Sequence, residues 1–222
     1  FDYAEERFLA RLPVCYALTV TTAPGGHVRV HGLFVGRERE LFERAVALSL
    51  EKNVIFVDRP LKKVVAFLDE REFKSSWLGN KAIYRARMAI ADGGELIVLA
   101  PGVARFGEDQ AINRLIRKYG FRGREATLRA VREHPDLAAN LSAAAHLIHS
   151  SSDGRFSITY CTRHLSGDEV RSVGFGHMPY DEAIARYDPA ALREGFNDLP
   201  DGEVYFIPNP ALGLWAERSR FG

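Results

Sequence analysis

The stretch Trp77-Leu-Gly-Asn-Lys-Ala-Ile-Tyr-Arg-Ala-Arg-Met-Ala-Ile-Ala-Asp-Gly-Gly-Glu-Leu-Ile-Val-Leu-Ala-Pro-Gly-Val-Ala-Arg105 decides the fold. Lys81, Tyr84, Arg85 and Met88 recur in it at spacings of three, four and seven, which places all four on one face of a helix. Asp92-Gly93-Gly94 reads as the stop of that helix, and Glu95-Leu-Ile-Val-Leu-Ala100 as a buried strand.

The same alternation continues on both sides. Val64-Val-Ala-Phe-Leu68 is a strand leading into the Lys81 helix, and Ala111, Ile112, Leu115, Ile116 and Tyr119 mark a helix after the second strand. Helical segments follow from about Glu125 to Glu133 and from Asp136 to about Ser150, and then the strand Phe156-Ser-Ile-Thr-Tyr-Cys161. Short apolar strands alternating with helices predict a three-layer α/β/α domain with a mostly parallel sheet, over residues 61–200.

Upstream the period changes to two. Val14 to Thr22 and Val28 to Val35 flank Pro24-Gly25-Gly26 and read as a hairpin. Leu41, Phe42, Ala45, Val46 and Leu48 give a helix, Val54 to Val57 a strand, and Asp2 to Leu12 the body of an amphipathic helix. The charged, proline-broken segment Asp58-Arg-Pro-Leu-Lys-Lys63 is the expected boundary, so residues 1–60 read as a β-hairpin/helix segment of a second, incomplete domain. Residues 201–222 read as a tail packing back on that segment, with Glu203 to Ile207 as an edge strand and Trp215 as the docking residue.

With 222 residues, 46% of them apolar, 27% charged and 11% aromatic, the chain buries a sizeable core. A net charge of +1 gives no general attraction to nucleic acid. The basic cluster Arg114, Arg117, Lys118, Arg122 and Arg124 reads as a solvated helix end. No apolar run reaches the length of a membrane span and nothing at the start resembles a secretory leader, so a cytoplasmic protein is expected. Cys15 and Cys161 lie in apolar runs and read as buried free thiols.

In open α/β sheets ligands bind beyond the carboxyl ends of the strands. Two loops are expected there: Asp69 to Gly79, and Pro101 to Glu108, which couples two glycines to Arg105 ahead of a helix N-terminus. Neither carries the spacing of a dinucleotide or P-loop site. A cation, a phenol and guanidinium groups together suit an anionic, hydroxyl-bearing ligand, which makes Lys81, Tyr84, Arg85 and Arg105 the candidate substrate-binding residues. His146 and His149 share one helical turn, a spacing able to bind zinc or nickel. No carboxylate or thiol accompanies them, and a capping or core-edge role is expected. His27, His31, His164 and His177 have no identifiable partner, and no Ser/His/Asp ordering stands out. No residue is assigned as catalytic or as a metal ligand.

Gly79-Asn-Lys-Ala-Ile-Tyr-Arg-Ala-Arg-Met-Ala-Ile-Ala-Asp-Gly-Gly94, Asn140-Leu-Ser-Ala-Ala-Ala-His-Leu-Ile-His149 and the closing Pro200 to Ala216 resemble the C-terminal part of the nickel-dependent lactate racemase family, especially its sugar-acid branch, often labelled D-mannonate epimerase. The resemblance implies an isomerase that racemises or epimerises C2 of a 2-hydroxy acid, by hydride transfer to a nickel pincer built on a pyridinium-bis-thiocarboxylate mononucleotide. It also implies that the cofactor-bearing lysine, the nickel-ligating histidine and the proton-transfer histidines belong to an N-terminal region that this chain does not include. This chain alone is then inactive, binds no cofactor by itself, and pairs with the missing domain or fragment or with a second copy. Tyr84 matches the family's helix tyrosine, Arg85 replaces a glutamine, and Met88 stands where the lactate enzymes have a carboxylate-binding lysine, a charge that Lys81 would restore. The extra donors on Lys81 and Arg85 fit a polyhydroxylated acid such as an aldonate. The alternative is a non-catalytic α/β module that holds an anionic sugar or phosphorylated metabolite through Lys81, Arg85 and Arg105.

Overall fold

A computed structural model describes residues 2–23 and 27–220. The Pro24-Gly25-Gly26 turn expected from the sequence lies outside the described residues. The chain divides into two compact units, Phe1–Val54 and Ile55–Gly222.

The first unit opens with α1 (Asp2–Ala4), which continues as a π-helical turn over Glu5–Leu9. Strands β1 (Tyr16–Thr22) and β2 (Arg29–Gly36) pair antiparallel, and α2 (Arg39–Asn53) packs on one face of the hairpin. Arg37 ties the opening turns down by donating to Glu5 and to the carbonyls of Leu9 and Leu12. Val30, Leu33 and Val35 remain exposed on the other hairpin face.

The second unit begins with β3 (Val54–Val57) and is built on a six-stranded sheet. Its strands are β4 (Leu61–Phe67), β5 (Ile90–Leu99), β6 (Ser157–Cys161), β7 (Gly176–His177), β8 (Gly195–Leu199) and β9 (Gly202–Ile207). The spatial order is β7-β6-β5-β4-β9-β8, parallel throughout except for the antiparallel edge strand β8. The central strands are apolar at nearly every position because both faces are covered. Val64, Ala66, Leu68, Leu96, Val98 and Tyr160 enter one core; Val65, Ile97, Leu99, Cys161 and Phe206, two-residue alternates of these, enter the other. The first face carries α3 (Ser76–Gly79), α4 (Lys81–Ala86), α5 (Gln110–Tyr119), α6 (Arg124–Glu133), α7 (Pro135–Ala138), α8 (Leu141–His149) and α9 (Gly167–Ser172); the second is covered by α10 (Tyr180–Arg186). This is the three-layer α/β/α arrangement expected from the alternation.

Five details differ from the sequence reading, the first being that Cys15, expected buried like Cys161, is exposed. The helix carrying Lys81 ends at Ala86, not at Asp92-Gly93-Gly94, because Arg155 donates to the carbonyls of Arg87 and Ile90, and Arg220 to that of Ile90. Met88 therefore leaves the helix face and bridges to Ala216 in β10 (Leu214–Glu217), which also pairs with β3. Asp92-Gly93-Gly94 is instead a bulge within β5: the register passes from Leu61 opposite Ile90 to Lys63 opposite Glu95, with Gly93 at φ 75°. Glu203–Ile207 is an inner strand between β4 and β8, not an edge, and the helix expected from Asp136 to Ser150 is broken at Asn140, whose side chain caps α8 by accepting from the Ala143 amide. In the tail, Trp215 is buried in the larger core.

The α3–α4 corner is pinned to the sheet by the Tyr160 hydroxyl, which donates to Asn80 Oδ1 at 2.6 Å; both side chains are fully buried and Asn80 Nδ2 has no partner among the described residues. Burial raises the Tyr160 pKa, so the phenol stays a neutral donor. Tyr160→Phe leaves the whole Asn80 amide unsatisfied, and the expected cost is about 1–3 kcal/mol. Asn80→Ala in the Tyr160→Phe background should then cost far less than Asn80→Ala alone. Urea denaturation of the four proteins of this cycle checks it, and additive losses would refute the coupling.

Candidate functional site

The loops after β4 and β5 are joined by their backbones. The Ala104 amide donates to the Lys74 carbonyl, Ser76 to Arg105 and Trp77 to Phe106, at 2.9 to 3.0 Å. The Ser76 hydroxyl also donates to the Phe106 carbonyl. Asn113 on α5 accepts from the Phe106 and Gly107 amides, and Gly107 is required there because a Cβ would lie 2.8 Å from the Asn113 Cα. These contacts fix where α3 starts, and Asn80 turns the chain directly into α4.

Ala82, Ile83 and Ala86 on α4 are buried, so Lys81, Tyr84 and Arg85 stand half-buried at its margin. The Lys81 ammonium lies 6.0 Å from the centroid of the Phe73 ring and has no ion-pair partner among the described residues. In the expected basic cluster Arg117 pairs with Glu169, Lys118 with Asp136 and Arg124 with Glu125, while Arg122 donates to the Ser172 carbonyl. The Tyr84 phenol oxygen also has no hydrogen bond among the described residues. Arg85 donates from Nη1 to the Gly213 carbonyl at 3.1 Å, tying α4 to the loop that follows β9.

Arg105 is placed differently from the expectation. Its backbone borders α3, but its guanidinium lies 3.5 Å from Glu108, and the Glu108 carboxylate also accepts from the Ser75 hydroxyl. The N-terminus of α5 is capped by Asp109, which accepts from the Ile112 amide at 2.7 Å. The protein's own carboxylates thus fill the positions where the glycine loop suggested an external anion.

The sequence reading left one group out of the site. His149, at the end of α8, contacts Tyr84 edge-on with ring centroids 4.8 Å apart. Its Nδ1 is 2.8 Å from the Ala145 carbonyl, which only accepts, so Nδ1 carries a proton. Behind it His146, 2% exposed, packs at 5.0 Å and stacks on Trp77 at 4.1 Å. Burial, and to a lesser degree His149, lowers the His146 pKa to about 3. Tyr84, His149, His146 and Trp77 therefore form one connected strip of rings beside Lys81, in which the Lys81 ammonium, the Tyr84 hydroxyl and His149 Nε2 have no hydrogen-bond partner among the described residues. The His146/His149 spacing was the available signal, and the Tyr84 contact was not legible because it joins helices far apart in sequence. Among the described residues no group of three or more His, Cys, Asp or Glu side chains is arranged to hold a metal ion.

No family model matches this sequence, and no curated protein matches it. Solved structures do. A protein of Thermotoga maritima, solved as a structural genomics target, superposes with TM-score 0.71 at 22% identity, over 98% of this chain and 52% of its own. The lactate racemase apoprotein of Thermoanaerobacterium thermosaccharolyticum superposes with TM-score 0.65 at 14% identity, over 97% of this chain and 48% of its own. The chain spans about half the length of each. At these identities the likeness establishes a lactate racemase-like fold.

The buried, neutral His146 makes stability depend on pH with a defined sign. The unfolded ring takes up a proton near its ordinary 6.5 and the folded ring only near 3, so the unfolded state binds more protons between those values. The contribution is full above pH 6.5, declines as pH falls, and at pH 5 amounts to a loss of about 2 kcal/mol. His146→Phe, which keeps a ring against Trp77, should remove this loss. Denaturation midpoints at pH 7 and pH 5 measure it, and an unchanged difference in the variant would exclude His146 as the source.

Proposed function

We propose that this chain is the substrate-side, C-terminal portion of an isomerase that inverts C2 of a 2-hydroxy acid, with a sugar acid as substrate. The carrying observation is the half-buried Lys81 ammonium, without a carboxylate partner, one turn from the unpaired Tyr84 phenol. A cation with no internal partner is open to a ligand anion, and a carboxylate flanked by hydroxyl groups supplies both the charge and the hydrogen-bonding partners. The lactate racemase-like fold supports the reaction class.

In this reading Lys81 holds the substrate carboxylate, Tyr84 donates to an adjacent oxygen, Arg85 uses the donors not engaged with Gly213, and Arg105 extends the cationic rim from the neighbouring loop. These groups bind and orient. A nickel pincer, the cofactor implied by the family resemblance, would supply the hydride acceptor, but the described residues offer no ligand set for it. The cofactor and the proton-transfer groups would then belong to a partner domain or fragment.

In the intact enzyme Lys81→Met should lower kcat/KM on the best hydroxy acid about 10²-fold, a loss of about 2.7 kcal/mol of transition-state stabilisation, with an unchanged denaturation midpoint. Arg85→Ala should act in the same direction. Steady-state kinetics on a panel of aldonates and short 2-hydroxy acids is the measurement. Wild-type efficiency in both variants would show this helix margin to be ordinary surface. An acid bound through Lys81 but never inverted at C2 would replace the isomerase with a binding module.

A further inference from the structure

The first unit has little core of its own to hold its strands. Among its described apolar residues only Val20 and Ala45 are buried, and its sheet has two strands. A two-stranded hairpin carrying one helix is marginal in water unless further strands or a second layer complete it. The hairpin face away from α2 is where that layer is missing. The register sets Ala17 opposite Val35, Thr19 opposite Leu33 and Thr21 opposite Val30, so these six residues share one face. The pairing passes from Gly32 directly to Val30, and this bulge at His31 keeps Val30 on the same side as Leu33. Val30, Leu33 and Val35 are 61%, 63% and 57% exposed, with no charged side chain between them.

The two edges of the hairpin differ. β2 carries Arg29, His31 and the bulge, all of which discourage strand pairing. β1, Tyr16-Ala-Leu-Thr-Val-Thr-Thr22, has no charge, no proline and no glycine. From Ala17 to Thr22 its backbone pairs with β2 on one side, and no described backbone group pairs with it on the other.

We propose that the β1 edge takes up a further strand and that the layer bringing it covers Val30, Leu33 and Val35, the occupant being the half of the lactate racemase-like fold that these 222 residues do not contain. The two solved structures match 98% and 97% of this chain, which leaves too few residues unmatched to exclude the hairpin, yet they use only 52% and 48% of their own lengths in doing so. A second copy of this chain fits less well. A twofold contact edge to edge extends the sheet but leaves both apolar faces open, and one face to face leaves both β1 edges open. The inference rests on the fold likeness and not on the reading of Lys81, so either can fail without the other.

The test compares the 222-residue chain with the intact polypeptide. Leu33→Asp and Val35→Asp should leave the thermal midpoint of the 222-residue chain unchanged, because both positions face water there, and lower that of the intact protein by at least about 5 °C. In the wild type, deuterium exchange of the β1 amides should be at least about 10²-fold slower in the intact protein, a readout that requires no variant to fold. Midpoints that fall in both proteins alike, or in neither, overturn the proposal, as do β1 amides that exchange equally in the two. A 222-residue chain that sediments as a dimer and becomes monomeric on Leu33→Asp, with the intact protein unaffected by that substitution, makes a second copy the occupant and overturns the proposal as well.

Discussion

The three backbone hydrogen bonds from Ala104, Ser76 and Trp77 to Lys74, Arg105 and Phe106 set the geometry on which the rest of the site depends. Two loops leaving parallel strands would otherwise be independent, each free to drift at the sheet's carboxyl edge. Joined, they behave as a short extension of the β4–β5 ladder. α3 starts from it in a fixed direction, and Ser75 caps that helix with a hydroxyl that also donates to Glu108. Asn80 then turns the chain within a single residue, held by Tyr160 from β6, so α4 inherits its orientation from the sheet. Lys81 and Tyr84 are placed by backbone and buried polar contacts, not by their own interactions, which leaves their polar atoms available.

The layered architecture was legible because its cause is local. Strands buried on both faces must be apolar at consecutive positions, and Val64–Leu68 and Glu95–Ala100 could hardly be anything else once helical periodicity followed each. What was missed had long-range causes. Met88 continues the helical spacing of Lys81 and Tyr84, yet α4 stops before it because two guanidiniums, Arg155 and Arg220, take the carbonyls that a longer helix would have used. The bulge at Asp92-Gly93-Gly94 imitates a helix stop, since a glycine with positive φ serves both purposes. The inner position of β9 was hidden by its place near the chain's end, and α9 was not read from the sequence although Ser166 and Glu169 stand at capping-box spacing and form both bonds of that motif.

Within the site, residue types were legible and relations were not. Periodicity brought Lys81, Tyr84 and Arg85 together, but could not show that Lys81 lacks any polar partner among the described residues, that Arg85 meets only the neutral Gly213 carbonyl, and that Arg105 faces Glu108. That difference matters energetically. A guanidinium already paired at the surface gains little from a ligand carboxylate, because one ion pair replaces another in a screened environment. An ammonium with no such partner has no existing ion pair to exchange. The order of importance among the four candidates follows from this: Lys81 before Arg85, and Arg85 before Arg105.

Arg85 has a second consequence for the shape of the site. Its bond to the Gly213 carbonyl holds the Pro208–Gly213 loop against α4, and a Cβ at Gly213 would fall 2.7 Å from the Trp215 ring. The loop is therefore clamped between a guanidinium on one side and a buried indole on the other, and it carries the exposed Leu212. Because Arg presents several donors in a rigid fork, it can keep this bond through one nitrogen while meeting a ligand oxygen with another, which Lys could not do with the same geometry. A ligand bound at α4 is thereby coupled to the loop after β9 by one side chain.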